Sequence, residues 1–134
     1  MCRAVRFEVG ARLLGALYCH CNRCQRRTGT AFSATALTQQ GSFALTEGEE
    51  HVGTYDPGDG GWLKMFCREC GSQLYTVHPE NPELIAVRLG PLDQDPGVRP
   101  NVHQFVTYAA SWEPIPDDGF PRFPERMGET EPLA

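Results

Sequence analysis

No apolar run in this sequence approaches the ~18–20 residues that a helix needs to cross a bilayer. Nothing apolar follows the basic residues of Met1-Cys2-Arg3-Ala4-Val5-Arg6, so no secretory leader is visible. Surplus positive charge is also missing. Lys and Arg total 12 against 17 Asp and Glu, a net charge of −5. Binding nucleic acid draws on cations that neutralise phosphates, so no such partner is expected. Helical periodicity is not sustained over ten residues anywhere in the chain. The expectation is a soluble cytoplasmic protein with no membrane partner.

Turn-forming residues are abundant. The chain has 14 Gly and 11 Pro, about 19% of its residues against an ordinary ~12%. With 40% hydrophobic and 22% charged residues it can still build a core. A length of 134 residues suits one domain, 1–134. Short strands joined by turns are therefore expected. Val5, Phe7 and Val9 alternate with Ala4, Arg6 and Glu8, as in a half-buried strand. Further strands are expected over 12–18, 31–37, 42–46, 51–55, 62–66, 74–77, 84–89 and 102–108. Gln25 to Thr28 reads as one helical turn closed by Gly29. From Trp112 onward five prolines leave a tail with little regular structure.

Six cysteines carry the chemical signal: Cys2, Cys19, Cys21, Cys24, Cys67 and Cys70. Three of them within six residues suit convergence on a metal better than disulfide geometry. Cys67-x-x-Cys70-Gly71 reads as a zinc knuckle at a hairpin tip. Two groupings compete on spacing. One pairs Cys21 and Cys24 with Cys67 and Cys70 in a four-cysteine ribbon, across 42 intervening residues. The other makes two sites. Cys19, Cys21 and Cys24 then form a three-ligand loop with an open position, the pattern of a catalytic zinc.

The strings Cys2-x-Ala4-Val5-Arg6-Phe7-Glu8, Cys19-His20-Cys21-Asn22-Arg23-Cys24-Gln25-Arg26-x-x-Gly29 and Phe66-Cys67-Arg68-Glu69-Cys70-Gly71 resemble the glutathione-dependent formaldehyde-activating enzyme family. That family also includes the centromere protein V domain. Weaker matches follow in order: Val87-x-x-Gly90-x-Leu92-Asp93, Pro100-x-Val102-His103, Ser111-Trp112 and Asp117-x-Gly119-Phe120-Pro121-x-Phe123. The resemblance implies an all-β, tent-like arrangement of small antiparallel sheets (Mss4-like) with zinc knuckles and at most one or two short helices. It implies two zinc ions, a catalytic one on Cys19, Cys21 and Cys24 and a structural one on Cys2, Cys67 and Cys70. It also implies a carbon–sulfur lyase-type activity on a small thiol and an aldehyde, such as glutathione and formaldehyde. The family pattern places Cys-x-Cys-Gly before Ala-Val-Arg-Phe. Here Arg3 follows Cys2 and the first cysteine of the pattern would fall at position zero, so the fourth place of the structural site is expected to go to a residue ahead of Met1, to water, to the terminal amine or to another side chain. A non-catalytic, zinc-stapled scaffold module is the alternative reading, since a fold does not dictate one activity.

Arg23, Arg26 and Arg27 flank the first thiols. They are read either as an attractor for an anionic thiol substrate that also lowers thiol pKa values, or as a solvated turn. His20 is read either as a hydrogen-bond donor behind the cysteine ligands or as solvent-facing, the second favoured, and His103 as a hydrogen-bonded structural histidine in preference to a ligand. Trp112 and Phe120 are expected to pack the tail onto the sheets.

Overall fold

The computed structural model describes residues 1–128 and 132–133. In chain order the strands are β1 (Arg6–Val9), β2 (Gly15–Cys19), β3 (Ser33–Leu37), β4 (Phe43–Glu47), β5 (Val52–Tyr55), β6 (Leu63–Cys67), β7 (Gln73–His78), β8 (Asn81–Arg88) and β9 (Pro100–Gln104). One α-helix, α1 (Asn22–Thr28), follows β2, and short 3₁₀ turns span Glu49–His51 and Val106–Tyr108. The fold is mostly β, with small sheets and a single α-helix among the described residues. Among the described residues no helix is long and apolar enough to cross a membrane.

The chain divides into two compact units, each assembled from two separated segments. The first comprises Met1–Leu14 and Ala36–Val98. Here β1 pairs antiparallel with β4, Phe7 opposite Leu45 and Val9 opposite Phe43. The alternation in β1 turns Phe7 toward an aromatic cluster. Its ring stacks on Phe43 at 5.2 Å between centroids, and Phe43 lies 4.5 Å from Tyr75. Strands β5, β6, β7 and β8 follow one another as an antiparallel meander. β8 is buried continuously from Ile85 to Arg88, with Val87 fully enclosed. Burying one such Val contributes about 1.5–3 kcal/mol.

The turn between β6 and β7 carries the second cysteine pair. Gly71 holds a left-handed φ of 77° and its N–H bonds the carbonyl of Cys67 at 2.8 Å. The N–H of Cys67 returns to Ser72 O at 3.0 Å. A side chain at position 71 would be strained, so glycine is what closes this turn.

The second unit comprises Gly15–Thr35 and Arg99–Ala134. Its strand β2 lies between β3 and β9 and runs parallel to β9, an exception to the antiparallel pattern. The tail follows β9 by backbone bonds at isolated positions. The N–H of His103 bonds Pro121 O at 2.9 Å, and that of Phe123 bonds His103 O at 2.8 Å. Prolines forbid a continuous ladder, so pairing stays sporadic. Phe120 packs against the His103 ring at 6.2 Å. Trp112 departs from expectation: it is 66% exposed and does not anchor the tail.

Helix α1 begins at Asn22, three residues earlier than the sequence suggests. Cys21 acts as its N-cap, the sulfur accepting the N–H of Cys24 at 3.3 Å. Gly29 closes the helix at φ 66°, as expected.

Candidate metal centres

The six cysteines gather into two groups of three. Cys19, Cys21 and Cys24 form one, Cys2, Cys67 and Cys70 the other, and within each the sulfurs lie within 4.8 Å of one another. No disulfide links any of them. The ribbon grouping of Cys21, Cys24, Cys67 and Cys70 is not formed. Either group could hold a metal ion.

In the second unit, β2 delivers Cys19 as a buried residue at its end. Cys21 is half-buried as the cap of α1, and Cys24 is buried in the first turn. The backbone between them is fixed from several sides. His20 N–H bonds Gln104 O at 3.0 Å. The Gln25 amide donates to His20 O and to Tyr108 O, both at 2.8 Å. Ser33, buried on β3, places its hydroxyl 3.2 Å from the Cys24 sulfur. These contacts hold the loop in place, as supports around ligands commonly do.

The ionisation of these thiols points the same way. Contact with the Cys21 and Cys24 thiols, together with burial, pushes the Cys19 thiol strongly upward. At Cys21 the contact with Cys19 lowers the pKa, but the Cys24 thiol and burial outweigh it and the net shift is upward. Three sulfurs this close repel one another as thiolates unless a cation sits among them. Arg23 and Arg26 are exposed and Arg27 is half-buried on α1. The dominant influences on Cys19 and Cys21 come from neighbouring thiols and burial, and both thiols are raised, not lowered.

The first unit holds the other group. Cys2 Sγ lies 3.7 Å from Cys67 Sγ. Tetrahedral thiolates at ~2.3 Å from zinc stand roughly 3.8 Å apart, so this pair already has that spacing. Cys67 is buried, Cys70 half-buried and Cys2 exposed. The Ala4 N–H reaches Cys2 Sγ at 3.5 Å. Arg3 adopts φ 66° between them, a left-handed conformation where the family pattern has glycine. Hydrogen bonding from the Ser72 hydroxyl, 3.2 Å away, and from its backbone brings the Cys70 pKa down to about 6. An open groove of about 970 Å³ lies in this unit along the N-terminal strand, but no cysteine lines it. The donor sets, not this cavity, carry the chemistry.

His20 corrects the sequence reading. It is only 2% exposed, and its Nε2 lies 2.8 Å from Nδ1 of His103. Burial first, then the nearby His103 and Arg122, lower its pKa to about 4, so the ring is neutral. His103 is equally buried and bonds the Asp118 carboxylate through Nε2 at 2.8 Å. Asp118 was not singled out by sequence. Its partner is 15 residues away and no local pattern marks it.

A family model described as glutathione-dependent formaldehyde-activating enzyme matches residues 1–108. The chain belongs to this family. A Halomonas elongata protein named "Putative glutathione-dependent formaldehyde-activating enzyme" is 26% identical, covering 97% of this chain and 94% of that protein. A crystal structure of a Rhodobacter sphaeroides protein is 28% identical, with a TM-score of 0.58, covering 70% of this chain and 84% of that one. Membership of the glutathione-dependent formaldehyde-activating family agrees with the two three-cysteine groups. Both family cysteine motifs lie within the matched residues.

Proposed function

We propose that this protein is a zinc-dependent, carbon–sulfur lyase-type enzyme that adds a thiol such as glutathione to a small aldehyde such as formaldehyde, or runs the reverse. The observation that carries the reading is the Cys19, Cys21 and Cys24 group: three converging sulfurs, and among the described residues no fourth cysteine, histidine or carboxylate in the group. Three protein ligands with an open position are the arrangement of a catalytic zinc. When bound there, zinc would supply Lewis acidity and favour the thiolate form of a thiol.

The remaining roles belong to the chain. Cys19, Cys21 and Cys24 hold the ion. The Cys24 N–H and the Ser33 hydroxyl bond two of the sulfurs and keep them oriented. Arg23, Arg26 and Arg27 attract an anionic thiol toward α1 by their positive charge. Cys2, Cys67 and Cys70 hold a structural zinc that fastens the N-terminal segment to the β6–β7 turn. In the reaction the carbon–sulfur bond forms, the thiol loses its proton, and the carbonyl oxygen gains one to give a hemithioacetal. The 134 residues act as a single cytoplasmic domain.

The test is exchange spectroscopy on formaldehyde and glutathione with zinc-loaded protein. Faster adduct exchange than in buffer, abolished in Cys24→Ser, supports the enzyme. Exchange equal to buffer overturns it. A second reading, a zinc-stapled binding module, draws support from the exposed Trp112 and predicts no acceleration.

A further inference from the structure

Among the described residues strand β1 has one neighbour in its sheet, β4, so its other long edge is open. Which backbone groups face that edge follows from the register. The N–H of Gly10 bonds Ser42 O at 2.8 Å, and Val9 and Glu8 stand opposite Phe43 and Ala44. Bonded and unbonded pairs alternate along an antiparallel ladder. Gly10 and Glu8 therefore direct their N–H and C=O groups toward β4, while Phe7 and Val9 direct theirs to the open edge.

The groove of the first unit runs along this strand. Nine consecutive residues, 5–13, line it. Side chains of both faces of β1 take part, so the groove follows the backbone edge and not one face. Leu13, Leu74 and Val87, all buried, close its bottom, and residues 90–96 form another part of its border. At about 970 Å³ it falls within the size range of ligand clefts.

Its charges are unevenly placed. The groove carries Arg3, Arg6 and Arg12 with Glu8, Asp93 and Asp95. Arg6 Nη2 bonds Asp93 Oδ2 at 2.6 Å. Arg6 above all, with Arg3 adding to it, holds the Asp93 carboxyl below its usual range. Two guanidinium groups thus share one carboxylate where β1 begins. Asp95 turns Oδ1 to the Gly97 N–H at 2.8 Å. Glu8 and Arg12 lie farther along the chain and are opposite in sign. The start of β1 keeps a surplus positive charge.

We propose that this groove takes the C-terminal end of an extended peptide, which adds a strand antiparallel to β1 and lays its terminal carboxylate against Arg3 and Arg6. Antiparallel order brings the end of the added strand beside the start of β1, where the surplus charge lies. Peptide residues opposite Phe7 and Val9 exchange N–H and C=O bonds with them, the mode in which main-chain bonds supply affinity. Their side chains share the face on which Phe7 stacks on Phe43, so apolar residues suit both places. The residue between them stands opposite Glu8, where a basic side chain fits.

The probe is the pentapeptide acetyl-Thr-Val-Lys-Val-Thr with a free carboxylate, titrated into the zinc-loaded, ¹⁵N-labelled chain. Amide shifts should move in residues 5–13 and 90–96. Hydrogen exchange should slow at Phe7 and Val9 and change little at Glu8 and Gly10, which β4 already bonds. Amidating the peptide C-terminus should weaken binding about tenfold. Arg3→Gln should weaken the free acid by a similar factor and leave the amidated peptide unchanged. N-methylating the second Val, whose N–H faces Phe7, should weaken binding by more than about tenfold, whereas methylating the Lys, whose N–H points away, should stay within about twofold. No shifts at about 1 mM peptide overturn the proposal. So does affinity indifferent to amidation, or equal loss from both methylations. Slow exchange at Phe7 and Val9 without peptide, together with a concentration-dependent dimer, makes a second copy the occupant and overturns it too. None of these readouts needs activity, so the outcome is separate from that of the enzyme reading.

Discussion

The backbone of Gly48 lies against the carbonyl oxygen of Ala4, so closely that a Cβ on Gly48 would overlap it. Gly48 also holds φ 77°, which glycine alone adopts without strain. This contact seats the segment that carries Cys2, whose sulfur accepts the Ala4 N–H. Gly48→Ala should therefore cost about 2–3 kcal/mol, combining left-handed strain with displaced backbone. Urea unfolding measures the loss. Metal retention by the Cys2, Cys67 and Cys70 group should fall with it, while the other group is spared.

Arg3 offers the opposite experiment. It occupies a left-handed conformation with an ordinary side chain, which costs ~1–2 kcal/mol. Arg3→Gly relieves that strain but adds freedom to the unfolded chain. The net gain should be about 0.5–1 kcal/mol. Thermal unfolding with metal bound checks the sign, and no gain would mean that the Arg3 side chain contributes packing of its own.

The two groups should release metal in order. Cys19 and Cys24 are buried, whereas Cys2 is exposed and Cys70 only half-buried. A chelator titration followed by native mass spectrometry should remove the ion of the Cys2 group first. Cys2→Ser should hasten that first loss, and Cys24→Ser should abolish the second, more tightly held equivalent. A first loss from the Cys19 group would reverse the assignment of the two sites.

In metal-free, reduced protein the thiols should differ in reactivity. Ser72 holds the Cys70 pKa at about 6, so Cys70 is a thiolate at pH 7 and loses that form as pH falls through 6. Neighbouring thiols and burial hold Cys19 protonated over the same range. Brief iodoacetamide treatment at pH 7 should label Cys70 well ahead of Cys19, and the Cys70 rate should drop below pH 6. Peptide mapping reads both. Ser72→Ala should slow the Cys70 reaction at pH 7.

The strands were legible in the sequence because a period of two is a local signal, clearest in Val5, Phe7 and Val9. The knuckle at Cys67 to Gly71 was legible because spacing and glycine act within five residues. What escaped depended on distant partners. His20 looks solvent-facing until His103, 83 residues away, is beside it. The start of α1 was hidden because a sulfur, not a Ser or Asp oxygen, caps it. The parallel pairing of β2 with β9 leaves no trace in either strand alone. Trp112 was read as packing from its size, yet its neighbours in the tail leave it uncovered.

The spacing of the two cysteine groups along the chain also sets an order of events during synthesis. Cys19, Cys21 and Cys24 emerge from the ribosome almost together. Cys2 emerges 65 residues ahead of Cys67. At ribosomal speeds of about 5–20 residues per second, Cys2 waits roughly 3–13 seconds before its partners exist. Throughout that interval Cys2 lacks its own partners and stays open to oxidants and to competing metals, while the Cys19, Cys21 and Cys24 loop can capture an ion as soon as it appears.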